Sequence, residues 1–271
     1  MIIGNKEFDT KNNIYVMGIL NITPDSFSDG GKFNDIDRAL THTEQMIKEG
    51  ADIIDVGGES TRPGYIKISE EEESARVTEV IRKIKENFDI PVSIDSYKSR
   101  VARDAVAAGA DLINDIWGCK YDADMAKVIA ETNVACCLMH NRDLKTQPYG
   151  EDLMADVLQD MKDCIDLAKQ AGVADDKIIL DPGIGFGKTL EDNLKVMNHL
   201  EDLNTFGYPV LLGTSRKSMI GLTLDVDVNN RLEGTIATSV IGAMKGYSFV
   251  RVHDVLANKR AIEMTRAILK A

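Results

Sequence analysis

The sequence predicts a (β/α)8 barrel, a single α/β domain of the TIM type that spans residues 1–271. Eight short apolar runs with the character of buried β-strands alternate with helical segments, at roughly thirty-odd residues for each strand–helix unit. No low-complexity stretch and no linker divides the chain. A doubly wound open sheet is the alternative, because the strand pattern alone does not show whether the sheet closes.

The predicted strands and helices follow one another along the whole chain. The strands are expected at residues 14–21, 51–57, 91–95, 111–115, 134–140, 177–181, 209–213 and 248–253. The helices are expected at residues 36–49, 69–87, 99–108, 124–131, 153–170, 190–203, 230–244 and 255–269. Ser69 and Glu72 have the spacing of a capping box. We expect residues 1–13 to form a small hairpin that covers the bottom of the barrel.

Composition argues against several classes of protein. A net charge of −12 and an isoelectric point of about 4.9 disfavour nucleic acid or an anionic membrane as a partner. The apolar runs are too short to span a bilayer, and residues 1–6 lack the organisation of a signal peptide, so we expect a cytoplasmic protein. The four cysteines form no C-x-x-C pair, which argues against zinc and disulfides, and Cys136 and Cys137 are expected to be buried thiols.

Polar residues stand at the ends of most predicted strands. They are Asn21, Asp55, Asp95, Asn114, Asp115, His140, Asp181, Ser215, Arg216, Lys217, Arg251 and His253. A single aspartate in this position is often only a helix cap. Because the carboxyl ends of barrel strands meet at one rim, where the chemistry of this fold takes place, so many polar residues together predict a functional site.

The polar residues divide into two chemical groups. Asp95, Asn114 and Asp181 are mainly acceptors, which suits the amino–amide edge of a flat heterocycle. The cations Arg62, Lys217, Arg251 and His253 follow strands 2, 7 and 8, and the last two strands form the usual phosphate-binding side of such barrels. The predicted ligand therefore has a hydrogen-bonding ring and an anionic tail.

Long loops follow the first two strands. Residues 21–31 are polar and glycine-rich and contain Phe27, and residues 57–64 contain Thr61 and Arg62. Loops of this length between a strand and a helix are often functional lids, although a plain surface connection remains the alternative.

The stretch DPGIGFGKT at residues 181–189 resembles a phosphate-binding loop but fails the pattern. A P-loop reads G-x-x-x-x-G-K-S/T, and Pro182 occupies the position of its first glycine. We interpret the stretch as a strand-to-helix turn in which Asp181 is the important residue. Its glycines are expected to leave room for the turn and for a flat ring, and Lys188 is interpreted as a solvated lysine at the start of the next helix.

Seven motifs, in their order along the chain, resemble those of the dihydropteroate synthase family, the target of sulfonamides. They are LNITPDSFSDGG, DVGGESTRPG, SIDS, IND, DPGIGFGK, GTSRKS and RVHD, and they extend over essentially the whole chain. The resemblance implies a (β/α)8 barrel, usually a homodimer. It implies a transferase that condenses 6-hydroxymethyl-7,8-dihydropterin diphosphate with p-aminobenzoate to give 7,8-dihydropteroate and pyrophosphate, with Mg²⁺ as cofactor.

The resemblance also implies roles for individual residues. The implied pterin pocket is Asp95, Asn114, Asp181 and Lys217, with Arg251 shared between the ring and the diphosphate. Asn21 is implied as a Mg²⁺ contact, Thr61, Arg62 and His253 as diphosphate contacts, and Ser218 and Phe27 as p-aminobenzoate contacts. Arg62, Asp95, Lys217 and Arg251 are the expected catalytic residues.

Two other functions remain open at this point. A corrinoid-type methyltransferase resembles this barrel and its pterin pocket, but it gives no reason for the cations of STRPG, SRK and RVHD. A non-catalytic pterin-binding subunit is disfavoured by the intact first two loops. No covalent nucleophile is required for the expected reaction, so Cys136, Cys137 and Ser215 are not expected to act as one.

Overall fold

The protein is a closed eight-stranded parallel barrel surrounded by helices. The structure, a computed structural model, describes residues 1–22, 32–59 and 67–271. Strands β3 to β10 pair in parallel in the order β8-β7-β6-β5-β4-β3-β10-β9. A further bridge joins Leu180 of β8 to Val210, just before β9, and so closes the sheet. The predicted barrel is confirmed, and the open-sheet alternative is wrong.

Every barrel strand lies within a range predicted from the sequence. The strands are β3 (Tyr15–Asn21), β4 (Ile53–Gly57), β5 (Val92–Asp95), β6 (Leu112–Asp115), β7 (Ala135–Met139), β8 (Ile178–Asp181), β9 (Leu211–Leu212) and β10 (Phe249–Val252). Their residues are almost all buried, because one face packs on the helices and the other fills the barrel. This two-sided burial produces the continuous apolar runs of the sequence.

The helices follow the predicted pattern, except that the first helix begins at Lys32 rather than at residue 36 and that two further differences occur later in the chain. They are α1 (Lys32–Lys48), α2 (Glu70–Asn87), α3 (Ser99–Ala107), α4 (Met125–Thr132), α5 (Leu153–Gln170), α6 (Leu190–Asn198), α7 (Ser218–Leu224), α8 (Leu232–Met244) and α9 (Val255–Leu269). The helix expected at 190–203 ends at Asn198, and a 3-10 segment, Leu200–Phe206, continues it. The short helix α7 between β9 and α8 was not predicted, because seven residues are too few to show a helical period.

Two helix caps show how local sequence signals are used. The Ser69 hydroxyl accepts a hydrogen bond from the Glu72 backbone N–H and caps α2, whereas the Glu72 carboxylate pairs with Arg76 one turn later. A reciprocal capping box forms instead at Thr189, whose hydroxyl accepts from the Asp192 N–H at 3.1 Å while the Asp192 carboxylate accepts from the Thr189 N–H at 3.0 Å. Thr189, which completed the near-miss phosphate-loop motif, is therefore a helix cap.

The N-terminal residues close the bottom of the barrel, as expected. Strands β1 (Ile2–Ile3) and β2 (Lys6–Glu7) form an antiparallel hairpin. Ile3 and Phe8 pack into one buried cluster with residues near the amino ends of the barrel strands. The Phe8 ring lies 4.7 Å from the Tyr15 ring and 5.9 Å from the Phe249 ring, measured between centroids. The lower half of the barrel is therefore a dry apolar core.

The cysteines and the apolar character of the helices were further subjects of the sequence analysis. All four cysteines are free and buried, which confirms the expectation for Cys136 and Cys137. In the part of the chain that the structure describes, no helix combines the length and the apolar character needed to cross a membrane.

Candidate active site

Strand alternation places a polar layer above the apolar core of the barrel. In β4, Ile53 belongs to the apolar cluster inside the barrel, whereas Ile54 and Val56 pack against the helices. Asp55, two residues after Ile53, therefore points inward as well, because side chains in a strand alternate between its faces. The same period places Asp95, Asn114, Asp181 and Arg251 on the inner face, near the carboxyl ends of their strands.

Arg251 is the centre of this layer. Its Nε donates to Asp55 Oδ2 at 2.5 Å, and its Nη2 donates to Asp95 Oδ2. Asn114 Nδ2 donates to the same Asp55 oxygen at 3.3 Å. Arg251 of β10 thus connects β4 and β5, Asp55 extends the network to Asn114 of β6, and together these residues form the floor of the site.

Asp55 was one of the polar strand-end residues in the sequence, but no role at the site was predicted for it. Its side chain is completely buried, and its Oδ1 has no hydrogen-bond partner among the described residues. A buried, unpaired carboxylate oxygen is costly unless water or a ligand satisfies it. Asp55 is therefore part of the site. Only the inward alternation of β4 could have distinguished it from a helix cap.

The carboxyl group of Asp95 is strongly perturbed. Burial raises its pKa to about 7, the Arg251 guanidinium opposes this change, and the nearby Asp55 and Glu73 carboxylates add to it. Burial likewise disfavours the charge of Arg251, but Asp55 and Asp95 together hold its pKa above the ordinary value. The Arg251 cation and its two carboxylates therefore stabilise one another in a largely buried setting.

A second charged pair, Asp181 and Lys217, lies beside Arg251. Gly213 follows β9, and a Cβ atom there would lie 3.6 Å from Asp181 Oδ2, 3.9 Å from Lys217 Nζ and 4.0 Å from Arg251 Cβ, so the three side chains converge. Burial raises the pKa of Asp181, and Lys217 opposes that rise. Burial lowers the pKa of Lys217 to about 8, and Asp181 opposes that fall. The site thus combines acceptors and cations within a few ångströms.

Apolar side chains border one side of the polar layer. Lys217 Nζ donates to the Ile184 carbonyl and lies 4.5 Å from the centroid of the Phe186 ring. Phe186 packs in a cluster with Ile116 and Met139, which also includes Tyr97 and Trp117. Such a surface suits the face of a flat heterocycle, and sequence reasoning did not identify it. The only signal was an aromatic residue between two glycines in DPGIGFGKT.

Asp115 has a local structural role, which was the alternative considered for every strand-end aspartate. Asp115 accepts hydrogen bonds from the backbone N–H groups of Trp117 and Cys119, at 2.9 Å and 2.6 Å. It therefore shapes the turn after β6. Because Asn114 points inward, alternation directs its neighbour Asp115 to the other face of the strand.

The remaining predicted residues lie around the rim or outside the described ranges. Asn21 ends β3, and its Oδ1 and Asp95 Oδ2 lie 3.4 Å and 3.8 Å from the position that a Cβ on Gly57 would take. His253 Nδ1 lies 3.0 Å from Ser215 Oγ, and the exposed Ser218 begins α7. Phe27, Thr61 and Arg62 lie outside the described residues.

A buried ion cluster lies just behind the rim at the ends of β4 and β5. Lys98 Nζ donates to Glu59 Oε2 at 2.8 Å and to Glu73 Oε2 at 2.6 Å, and the Tyr97 hydroxyl donates to Glu59 Oε1 at 2.6 Å. The Glu59 carboxylate also accepts from the Ile68 N–H at 2.9 Å. No local pattern predicted this cluster, because its members are far apart in sequence.

The interpretation of Lys188 as a solvated lysine is wrong. Its Nζ donates to the carbonyls of Gly183 and Phe186, at 3.0 Å and 3.1 Å, and it lies 2.7 Å from His140 Nδ1. The cause is the shape of the turn, since Gly183 and Gly187 have φ of +66° and +53° and press against the chain after β7. A Cβ on Gly183 would lie 1.8 Å from the His140 carbonyl oxygen, so this glycine serves the turn and its backbone contact.

Comparison with known proteins agrees with this geometry. Residues 17–253 match the family described as pterin binding enzyme. The dihydropteroate synthase of Clostridium beijerinckii is 65% identical to this chain over 271 residues, which is 100% of each chain.

Solved structures share the fold over the whole chain. The dihydropteroate synthase of Clostridium difficile, crystallised in the presence of pteroic acid, has a TM-score of 0.94 and 50% identity, covering 98% of this chain and 100% of that one. The Yersinia pestis dihydropteroate synthase in a sulfonamide drug complex has a TM-score of 0.93 and 41% identity, covering 100% and 99%. The chain therefore belongs to the pterin binding enzyme family and, within it, to the dihydropteroate synthases, which are transferases.

Proposed function

We propose that the protein condenses 6-hydroxymethyl-7,8-dihydropterin diphosphate with p-aminobenzoate in the polar layer at the carboxyl end of the barrel. The observation that carries this proposal is the convergence of Arg251 with Asp95, and of Lys217 with Asp181, in one buried layer. Acceptors for a pterin and cations for a diphosphate then lie within reach of a single ligand. The Clostridium difficile relative crystallised in the presence of pteroic acid supports the same assignment.

The pterin ring is proposed to bind through its amino–amide edge. Asp181 supplies a carboxylate acceptor, and Asp95 and Asn114 supply further polar partners on neighbouring strands. The ring face packs against the apolar cluster of Met139 and Phe186. This orientation directs the methylene carbon toward the cations of the last two strands.

The barrier of the reaction lies in charge separation as the bond between the pterin methylene carbon and the diphosphate oxygen breaks. Arg251 Nη1 makes no hydrogen bond to any described residue, so it is placed to donate to the departing diphosphate. Lys217 adds positive charge there, Arg62 and His253 are the further proposed contacts of the diphosphate, and ionised Asp95 and Asp181 stabilise positive charge on the pterin. Fixed charges that need no reorganisation are the most effective form of such stabilisation.

The amine of p-aminobenzoate then attacks the methylene carbon directly. Ser218 at the start of α7 and Phe27 are the proposed contacts of this substrate. A covalent intermediate is not needed. Cys136 and Cys137 are completely buried, with thiol pKa values raised by burial, and the Ser215 hydroxyl is held by His253.

Mg²⁺ is the proposed cofactor, with Asn21 as its protein ligand. The described residues contain no group of three His, Cys, Asp or Glu side chains that would hold a metal ion. Mg²⁺ usually keeps several waters and is bound chiefly by substrate phosphates, so a single protein ligand suits it. One amide oxygen at the end of β3, on the same rim as Asp95, is compatible with such binding. When bound, the ion would neutralise charge on the diphosphate.

The chain is proposed to act as one domain in the cytoplasm. Packing of the N-terminal hairpin into the barrel core supports a single folding unit over residues 1–271. Four buried cysteines that remain free thiols are compatible with a reducing compartment.

The activity itself is tested with purified protein, both substrates and Mg²⁺. We expect release of pyrophosphate and formation of 7,8-dihydropteroate, measured by a coupled pyrophosphate assay and by mass spectrometry. Omission of p-aminobenzoate is the control. A folded sample that binds the pterin substrate without forming product would instead indicate the non-catalytic pterin-binding subunit.

Asp181→Asn tests the contact with the pterin edge. In the wild-type protein the Gly183 nitrogen lies 2.7 Å from Asp181 Oδ1. The asparagine keeps an oxygen that can accept this bond, so folding should change little. Loss of the charge-assisted bonds should weaken binding of 6-hydroxymethylpterin by about 10–100-fold, measured by calorimetry. Unchanged affinity together with an unchanged melting temperature would show that the ring does not bind there.

The loss of pterin affinity below pH 7 tests the role of the Asp95 carboxyl group. Burial raises the pKa of this carboxyl group to about 7 in the free protein. The neighbouring Arg251 and Lys217 lower the pKa, and Asp55 and Glu73 raise it. Bonds from the pterin favour the ionised form and lower this pKa in the complex. The complex therefore holds fewer protons, and affinity should fall by about tenfold per pH unit as pH drops below 7.

Calorimetry with 6-hydroxymethylpterin between pH 5.5 and 7.5 measures this loss of affinity. Asp95→Asn cannot titrate and should bind weakly, with a flat profile over the same window. If the affinity of that variant falls equally steeply below pH 7, the group that takes up the proton is not Asp95.

A homodimer is proposed to form through the outer faces of α8 and α9. Met244, Met264 and Ile268 are 63%, 61% and 63% exposed, which is unusual for large apolar side chains on neighbouring helices. We expect a mass in solution of twice 29.8 kDa by light scattering. Met264→Lys should shift the protein toward the monomer, and a monomeric wild type at micromolar concentration would contradict the proposal.

A further inference from the structure

Lys188 has a saturated set of contacts next to the proposed pterin site. An ammonium group has three N–H donors. Those of Lys188 are matched by the Gly183 carbonyl, the Phe186 carbonyl and His140 Nδ1, all within 3.1 Å. Lys188 is half-buried, and desolvation lowers its pKa to about 7. In its ammonium form the three protein acceptors hold it in one position and leave no N–H group for a substrate.

His140 is held from its other side by α5. Its side chain is completely buried, and its Nε2 lies 3.0 Å from Asp160 Oδ2. Burial and the neighbouring Lys188 lower the pKa of His140 to about 3, so its ring is neutral at ordinary pH. Because Nδ1 accepts from the Lys188 ammonium, the ring proton is on Nε2 and is donated to Asp160. Arg142 Nε also donates to Asp160, at 2.8 Å, which fixes that carboxylate.

The turn that Lys188 binds has little secondary structure of its own. Gly183, Gly185 and Gly187 all have positive φ, and the turn is joined internally by one backbone bond, from the Phe186 N–H to the Gly183 carbonyl at 3.1 Å. Lys188 binds both of these residues and so clamps the turn at its two ends. Asn193 Oδ1 also accepts from the Gly185 N–H at 2.6 Å, and the Lys188 clamp adds the restraint at the two ends of a turn whose three glycines are otherwise free in conformation.

The same turn positions Lys217. The Ile184 carbonyl, between the two clamped residues, accepts from Lys217 Nζ, and the Phe186 ring lies against that ammonium group. Asp181 lies two residues before Gly183 and accepts from the Gly183 N–H at 2.7 Å. A shift of the turn would therefore move both members of the Asp181–Lys217 pair.

We propose that Lys188, held by His140 and Asp160, is a positioning residue that sets the turn 183–186 and thereby the geometry of Asp181 and Lys217 for the pterin substrate. This inference rests on the proposed function. Lys188 does not contact the substrate in this proposal. It acts through the turn, and the chain of contacts runs from α5 through β7 to β8 and α7.

Steady-state kinetics of Lys188→Met test the proposal, because methionine keeps much of the side-chain volume and removes all three donors. The KM for the pterin diphosphate should rise by about tenfold or more, which is the scale expected for loss of charge-assisted bonds. The KM for p-aminobenzoate should stay within about threefold. Lys195→Met is the matched control, since Lys195 is an exposed lysine on the next helix.

The results separate three situations. A wild type and a Lys195→Met variant that are folded but inactive would contradict the proposed function itself. Active controls together with a Lys188→Met variant that matches them in both KM values would overturn the positioning role. The positioning role is also overturned if Lys188→Met loses activity only in proportion to its loss of folded protein, measured by circular dichroism.

A pair of variants at His140 covers the case in which Lys188→Met does not fold. His140→Gln retains one acceptor and one donor, whereas His140→Leu has a similar bulk and neither. The glutamine variant should keep the pterin KM within about threefold of wild type, and the leucine variant should raise it as Lys188→Met does. Equal pterin KM values for the two His140 variants would overturn the proposal.

Discussion

The contact between Arg251 and the two carboxylates of Asp55 and Asp95 is the interaction on which the rest of the site depends. It joins strands that are distant in sequence, and it occupies the boundary between the dry lower half of the barrel and the polar upper half. A cation of this kind is stable in the barrel only because carboxylates surround it. Removal of either partner would leave a buried charge, so the three residues act as a unit.

The same electrostatic arrangement explains how an acidic protein can bind a diphosphate. The chain has a net charge of −12, which repels an anion at long range. Lys217 and Arg251 nevertheless converge around Gly213, at the end of the barrel where β9 and β10 lie side by side. In this buried layer the local charges dominate, because burial weakens screening by water and salt. Burial also brings the pKa of Asp95 and Lys217 close to neutrality.

The turn after β8 shows why a local motif can mislead. Gly183, Gly187 and Lys188 have the appearance of a phosphate loop, yet the glycines pack against the backbone after β7 and the lysine binds that turn and His140. Thr189 caps a helix. Every residue that made the motif resemble a nucleotide site supports the position of its neighbours. Asp181, which the motif does not require, is the residue that borders the proposed ligand.

The sequence by itself determined the eight strands, the hairpin below them and the polar rim, because two-sided burial and strand ends leave local patterns. It also determined the family, through seven motifs in order. Only the tertiary structure decided which strand-end residues face inward, so that Asp181 and Asp115 have different roles. The tertiary structure also decided which side chains Arg251 and Lys188 contact. These contacts join residues 196 and 48 positions apart, and no local period records which distant side chain a buried charge will meet.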